Sequence, residues 1–193
     1  MKNLFSIDSA DKPLPMDRYL LNIEYAVKRI FEAIYQETDV LMDLLCEEAR
    51  LRERNLPNDL ATVDTNIRET VARMSVHKQS VGILCGVLLQ FAKQGISLVH
   101  ETFHSCPDGR MIGMAEPLKN VIWQGRNHAI HYEESPNHSC AVKECFAHLE
   151  EEHGPQFSLS NHPCQNLSKE IVDLLGWSGY PTFQEDMLLL SKK

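Results

Sequence analysis

An all-α antiparallel helical bundle is the fold class this sequence predicts. Three observations lead to it: apolar residues recur at three- and four-residue steps over two long stretches, the turn-forming Pro and Gly clusters fall between the helical stretches, and no segment reads convincingly as a strand. The chain of 193 residues is long enough for one ordinary domain with a sizeable core. We expect a single domain over 1–193, with the bundle at about 16–152 and an irregular C-terminal appendage at about 153–193.

The first helix is expected over about 16–53, where Leu20, Ile23, Val27, Ile30, Phe31, Ile34, Leu41 and Leu45 share the apolar stripe. One break near Thr38 is compatible with this pattern. "RNLPND" (54–59) supplies a stop, and a second helix follows over about 64–103 through Ile67, Val71, Met74, Val81, Leu84, Leu88, Phe91, Leu98 and Val99. Two such helices joined by a short loop form an antiparallel hairpin. "SCPDGRMIGMAEP" (105–117) reads as a loop, and Pro117 suits the first turn of a third helix, where a missing amide donor costs little. That helix runs to about 134; "SPNHS" breaks it before a fourth at about 140–152. Beyond Gly154 only "SKEIVDLLG" and "FQEDMLLLSKK" suggest short helices.

Composition narrows the function. Hydrophobic residues make up 43% and charged residues 24%, as in globular proteins. The net charge is −8, with 27 acidic against 19 basic residues, which argues against a wide electrostatic surface for double-stranded nucleic acid but permits a narrow cleft with a few arginines. The basic cluster "RLRER" (50–54) with Arg68, Arg73, His77 and Lys78 reads as solvated helix face. "MKNLFSIDSADKPLP" lacks a secretory apolar region, and the most apolar run, "VGILCGVLLQFA", is shorter than a bilayer span. The six scattered cysteines suit reduced thiols. A cytoplasmic location without membrane attachment is the expectation.

Two motifs compete. "HETFH" (100–104) matches H-E-x-x-H, in which two histidines one helical turn apart hold zinc and the glutamate acts on bound water. On an ideal helix the core stripe here centres on Leu84, Leu88, Phe91, Gly95 and Thr102, so His100 and His104 should project the other way, toward water or a partner. The third ligand and the substrate wall of a zinc hydrolase are not evident. His100 and His104 are therefore the alternative metal pair, and the main reading involves no metal.

The second motif is Arg126-Asn127-His128-Ala129-Ile130-His131, within "WQGRNHAIHYEE". An R-N-x-x-x-H on a helix late in an all-α bundle, with Tyr132 directly after the histidine, resembles the HEPN family (higher eukaryotes and prokaryotes nucleotide-binding). The resemblance implies a compact helical domain that forms a homodimer, with the motif helices of two chains flanking a cleft. Many members are metal-independent endoribonucleases of defence or toxin-antitoxin systems, so RNA or a nucleotide is the implied ligand, an antitoxin an implied partner, and no cofactor is called for. Others have lost activity and only bind. Carried over by position, Arg126 and His131 are the catalytic pair and Asn127 their polar supporter, while His128 lies outside the motif.

That chemistry is sensible on its own terms. Cleavage of RNA without a metal needs a group that titrates near neutrality to move protons, and a fixed cation on the phosphorane oxygens; histidine and arginine are those groups. On an ideal helix Arg126 and His131 lie about 140° apart, and a cleft shared by two chains would reconcile them. Leu118, Val121, Ile122, Gly125, Ala129 and Tyr132 form one apolar stripe; Trp123, Asn127, Ile130 and Glu134 form another face, either a dimer seam beside a polar cleft or a core tryptophan with a surface asparagine. The bland reading pairs Arg126 with Glu133, Glu134 or another carboxylate. Finally, His138, Cys140, Cys145, His148, His153, His162 and Cys164 invite a structural zinc reading, but neither C-x2-C nor finger spacing occurs. We expect Cys145 and Phe146 inside and the histidines exposed.

Overall fold

The two long periodic stretches form α1 (Met16–Glu53) and α2 (Leu60–His100), paired as an antiparallel hairpin in a computed structural model that describes residues 15–53, 60–100, 102–134 and 137–191. The "RNLPND" stop, the first part of "SPNHS", Glu101 and the extreme N-terminus lie outside the described residues. α1 buries Met16, Tyr19, Leu20, Ile23, Val27, Phe31 and Ile34 at helical spacing, and farther along Leu44 rather than Leu45 turns inward. It is unbroken at Thr38, whose hydroxyl donates to the Ile34 carbonyl at 2.7 Å within the helix.

The buried arc of α2 differs from the expected stripe. Val81, Cys85, Leu88, Leu89, Ala92 and Ile96 are buried, while Leu84 and Phe91 are only half-buried. The cause is position: α2 is flanked by α1 on one side and by later helices on another, so more than one stripe is covered. By length and composition one stretch of it, Val63–His100, is apolar enough to cross a membrane, and 44% of its most apolar window is buried against the rest of the fold. Gly95 sits where α1 approaches most closely; a Cβ there would lie 2.7 Å from the Tyr19 ring.

Residues 105–117, expected as a plain loop, contain a two-residue antiparallel ladder, β1 (Met111–Ile112) with β2 (Glu116–Pro117). Gly113 supplies the left-handed turn at φ +73°, and the Glu152 carboxylate accepts from the amides of Met114 and Ala115 at 2.7 and 3.0 Å. This tight turn delivers the chain into α3 (Leu118–His131), with Pro117 at its N-cap. A 3-10 turn over Tyr132–Glu134 follows, then α4 (Cys140–His153), capped by Ser139 Oγ accepting from the Val142 amide at 3.3 Å.

The C-terminal segment is integral to the core. α5 (Ser168–Leu174) and α6 (Tyr180–Leu189) contribute Ile171, Val172, Tyr180, Phe183 and Met187 to the same hydrophobic cluster as α1 and α2. Irregular connections separate these helices, but they are not an appendage to the bundle. Among the described residues the architecture is therefore all-α apart from the short ladder.

Candidate functional site: the polar face of α3

α3 has two unlike sides. Leu118, Val121, Ile122 and Gly125 face the core, and Gly125 permits close packing because a Cβ there would stand 3.1 Å from Ile171. Ala129 meets α2 similarly: its Cβ lies 3.3 Å from where a Cβ on Gly86 would be. The motif residues occupy the other side.

Arg126 is half-buried and its Nε donates to Gln90 Oε1 on α2 at 2.6 Å. One Nη donates to Asn127 Oδ1 at 3.3 Å. No carboxylate appears among these partners, so the alternative reading, a pairing with Glu133, Glu134 or another surface carboxylate, is not how the guanidinium is held. Asn127 in turn donates to Gln124 Oε1 at 3.2 Å, and Gln124 donates to Asn120 Oδ1 at 3.2 Å. Asn120 donates to Glu116 Oε2 at 2.5 Å, and His148 Nδ1 lies 2.7 Å from Glu116 Oε1. Glu116 and Gln124 are buried, and the Cys145 thiol is pushed up chiefly by burial, with the nearby Glu116 adding to the rise. His148 is pulled up from its ordinary value chiefly by its hydrogen bond to Glu116.

His131 is exposed, and its Nδ1 lies 2.8 Å from Glu134 Oε1. A carboxylate on Nδ1 holds the proton there and leaves Nε2 as the free lone pair. Asn127, His131, Glu134 and Asn137 line an open cavity of about 340 Å³, closed on the α4 side by His138, Ser139 and Val142. The structure thus brings Asn127 and His131 to one cavity. Arg126 is not among its lining residues and is linked to it through Asn127.

His128 is 1% exposed and does a different job. Its Nδ1 lies 3.3 Å from His138 Nε2 and its Nε2 lies 3.1 Å from the Gln165 carbonyl, while its ring packs against Phe146. Burial first, and the neighbouring His138 second, push it down to about 4. Neutral at pH 7, it donates from Nε2 to Gln165 and accepts from His138 on Nδ1, tying α3 to the segments before α4 and before α5. Tyr132, which the ideal-helix stripe places inward, is half-buried and lies in the 3-10 turn after α3, where that periodicity no longer holds.

The competing motif is arranged otherwise. α2 ends at His100, and His104 lies on a separate 3-10 turn, Phe103–Ser105. His100, expected to face water or a partner, is 8% exposed and its Nε2 lies 2.7 Å from the Leu190 carbonyl after α6. The expectation failed because the C-terminus closes over the last turn of α2. In the third cluster Cys145 and Phe146 are buried as expected, but His138 is buried too. Among the described residues no group of three or more His, Cys, Asp or Glu side chains is arranged to hold a metal ion.

Trp123 is half-buried, covered by the Phe103 ring at 5.1 Å and by Lys93 Nζ at 4.6 Å from its centroid. Ile130 stays 46% exposed, and Val76, Ile83, Val87 and Leu98 leave a row of exposed apolar side chains along one face of α2. The positive run expected as solvated surface carries exposed ion pairs along the hairpin, Arg52 with Glu48 at 2.6 Å, Arg68 with Asp64 at 2.5 Å and Arg73 with Glu47 at 3.5 Å, and His77 Nδ1 lies 2.7 Å from Glu37.

Fold and site together define an all-α bundle whose third helix carries a histidine–carboxylate pair at the surface and a half-buried arginine held by amide groups. The chain matches no family model, no curated protein and no solved structure. The buried Glu116 and Gln124, the half-buried Asn120 between them and the buried His128 were not picked out from sequence. The signal for the first three was present, since positions 116, 120, 124 and 127 are spaced by four, four and three and so fall on one helical face.

Proposed function

We propose that the chain is a HEPN-like, metal-independent endoribonuclease of the toxin or defence type, acting in the cytoplasm as a homodimer. The observation that carries this reading is Asn127, which accepts from the Arg126 guanidinium and lines the same cavity as His131. His131 Nε2 takes the proton of an RNA 2′-hydroxyl, whose oxygen attacks the adjacent phosphorus. The phosphorane oxygens gain negative charge, which Arg126 offsets; the bond from phosphorus to the 5′-oxygen then breaks, and that oxygen leaves with a proton drawn from water. The products are a 2′,3′-cyclic phosphate and a 5′-hydroxyl. Dimerisation is supported by the exposed apolar row on α2 beside Ile130, one turn from Arg126. Pairing of two such faces would bring a second Arg126 toward the shared seam.

A second reading, a binding module for RNA or nucleotides without turnover, is favoured by Arg126 itself, two of whose five donors are engaged by Gln90 and Asn127 within the chain. One experiment separates them: cleavage of a mixed RNA pool in excess chelator by wild type, His131→Ala and Arg126→Ala. Chelator-resistant cleavage lost in both variants supports the ribonuclease. RNA binding by folded wild type with no cleavage supports the binding module, and equal cleavage by all three overturns the assignment of the site.

A further inference from the structure

The polar residues of α3 form one continuous chain of hydrogen bonds from His148 through Glu116, Asn120, Gln124 and Asn127 to Arg126 and Gln90. Its direction is imposed by its ends. A carboxylate can only accept and a guanidinium can only donate, whereas each primary amide has one end of each kind. Glu116 requires the amide nitrogen of Asn120, which turns the Asn120 oxygen toward Gln124. That oxygen requires the nitrogen of Gln124, which turns the Gln124 oxygen toward Asn127. Asn127 must then present its nitrogen to Gln124 and its oxygen to Arg126. Reversing any one amide would set oxygen against oxygen or nitrogen against nitrogen at two contacts.

Burial makes this order consequential. Glu116 is 4% and Gln124 7% exposed, so water cannot readily replace a lost partner there. Two groups hold the Glu116 carboxylate: Asn120 and His148. That end is anchored inside the fold, while at the other end Asn127 lines the cavity and holds Arg126 behind it.

We propose that Glu116, acting through Asn120 and Gln124, sets the orientation of Asn127 and thereby the placement of the Arg126 guanidinium, so that all three are positioning residues of the site. The structural part stands on the hydrogen bonds alone; its kinetic consequence rests on the ribonuclease reading.

The test uses the full chain, labelled with 15N, and follows two signals by NMR: the Arg126 Nε–H and the Asn127 side-chain amide. Gln124→Leu removes the middle link. It should shift both signals and lower kcat for RNA cleavage roughly 10- to 100-fold while KM changes little, since a misplaced catalytic group loses rate more than affinity. Glu116→Gln keeps an oxygen that accepts from Asn120, so both signals should stay near their wild-type positions and kcat should fall by no more than about 3-fold. Should Gln124→Leu fail to fold, Gln124→Met breaks the same link with a flexible side chain suited to a helix. A folded Leu or Met variant with both signals at wild-type positions overturns the proposal. A wild type that cleaves nothing sinks the ribonuclease reading instead, and the two signals still decide whether the positioning is real.

Discussion

Asp186 on α6 accepts from both Nε and Nη2 of Arg110, at 2.8 and 2.9 Å, a two-pronged pair joining the segment before β1 to the C-terminal helix. Trp177 Nε1 donates to the same carboxylate at 2.9 Å, and Arg110 also donates to the Leu175 carbonyl at 2.6 Å. The arginine is raised chiefly by its hydrogen bond to Asp186, which is itself buried.

Removing one partner leaves the other uncompensated. Asp186→Asn should lower the unfolding free energy by about 3 kcal/mol, near the lower end for a broken buried pair because the arginine is partly solvated. Urea unfolding measures the loss, and the double variant Arg110→Leu with Asp186→Leu should recover part of it. A midpoint unchanged in Asp186→Asn would show the pair to be without weight.

His128 makes stability depend on pH in a defined direction. Its folded value is depressed to about 4, so between roughly 6.5 and 4 the unfolded chain binds a proton that the folded chain refuses. Its contribution is complete above that window and falls with pH through it, by about 2 kcal/mol between pH 6.5 and 5. His148, raised by Glu116, acts in the opposite sense above the window. Comparing urea midpoints of wild type and His128→Leu at pH 7 and 5 isolates the effect: the wild type should lose more than the variant, and parallel losses would contradict the assignment.

Glu134 orients His131 from a solvated position, with 59% of its side chain exposed. On the ribonuclease reading, Glu134→Gln should therefore reduce kcat only modestly, by roughly 3- to 10-fold, because water competes for the same nitrogen. The chelator-resistant cleavage assay reads this directly. A loss as complete as that of His131→Ala would give Glu134 a role in proton transfer itself.

Ile130 tests the second copy. Ile130→Arg or Val87→Arg places a charge on exposed apolar surface and should convert the proposed homodimer to monomer across the micromolar range, as seen by sedimentation equilibrium. Wild-type protein that is monomeric throughout that range would rule out this face as a homodimer seam.

The long helices were legible because each covers many turns of a regular stripe, and α1 follows its stripe closely as far as Ile34. α6 was harder to read, since its buried face of Tyr180, Phe183, Met187 and Leu190 also takes in the charged Asp186, while Leu188 and Leu189 lie off that face and are only half-buried. His100 and His128 show a second limit. A histidine whose polar atoms find a carbonyl or another histidine enters the core without any change in local pattern, because its partners, Leu190 and Gln165, are distant in sequence. Arg126, Asn127 and His131 were found as a motif; the links from Glu116 to Asn127 required knowing which side of α3 is enclosed.

The α1–α2 hairpin has a mechanical consequence. In its outer part, beyond Tyr35 on α1 and before Val81 on α2, the described side chains that are fully buried are Leu44, Thr70 and Met74. At 1.5 Å per residue, positions 35–53 extend about 30 Å from the region where α3, α5 and α6 gather. The hairpin is a cantilever, clamped at one end by the core and supported along its free length mostly by its own two members. Heat or denaturant should loosen the free end first, leaving the clamped end and the polar face of α3 in register until the core itself gives way.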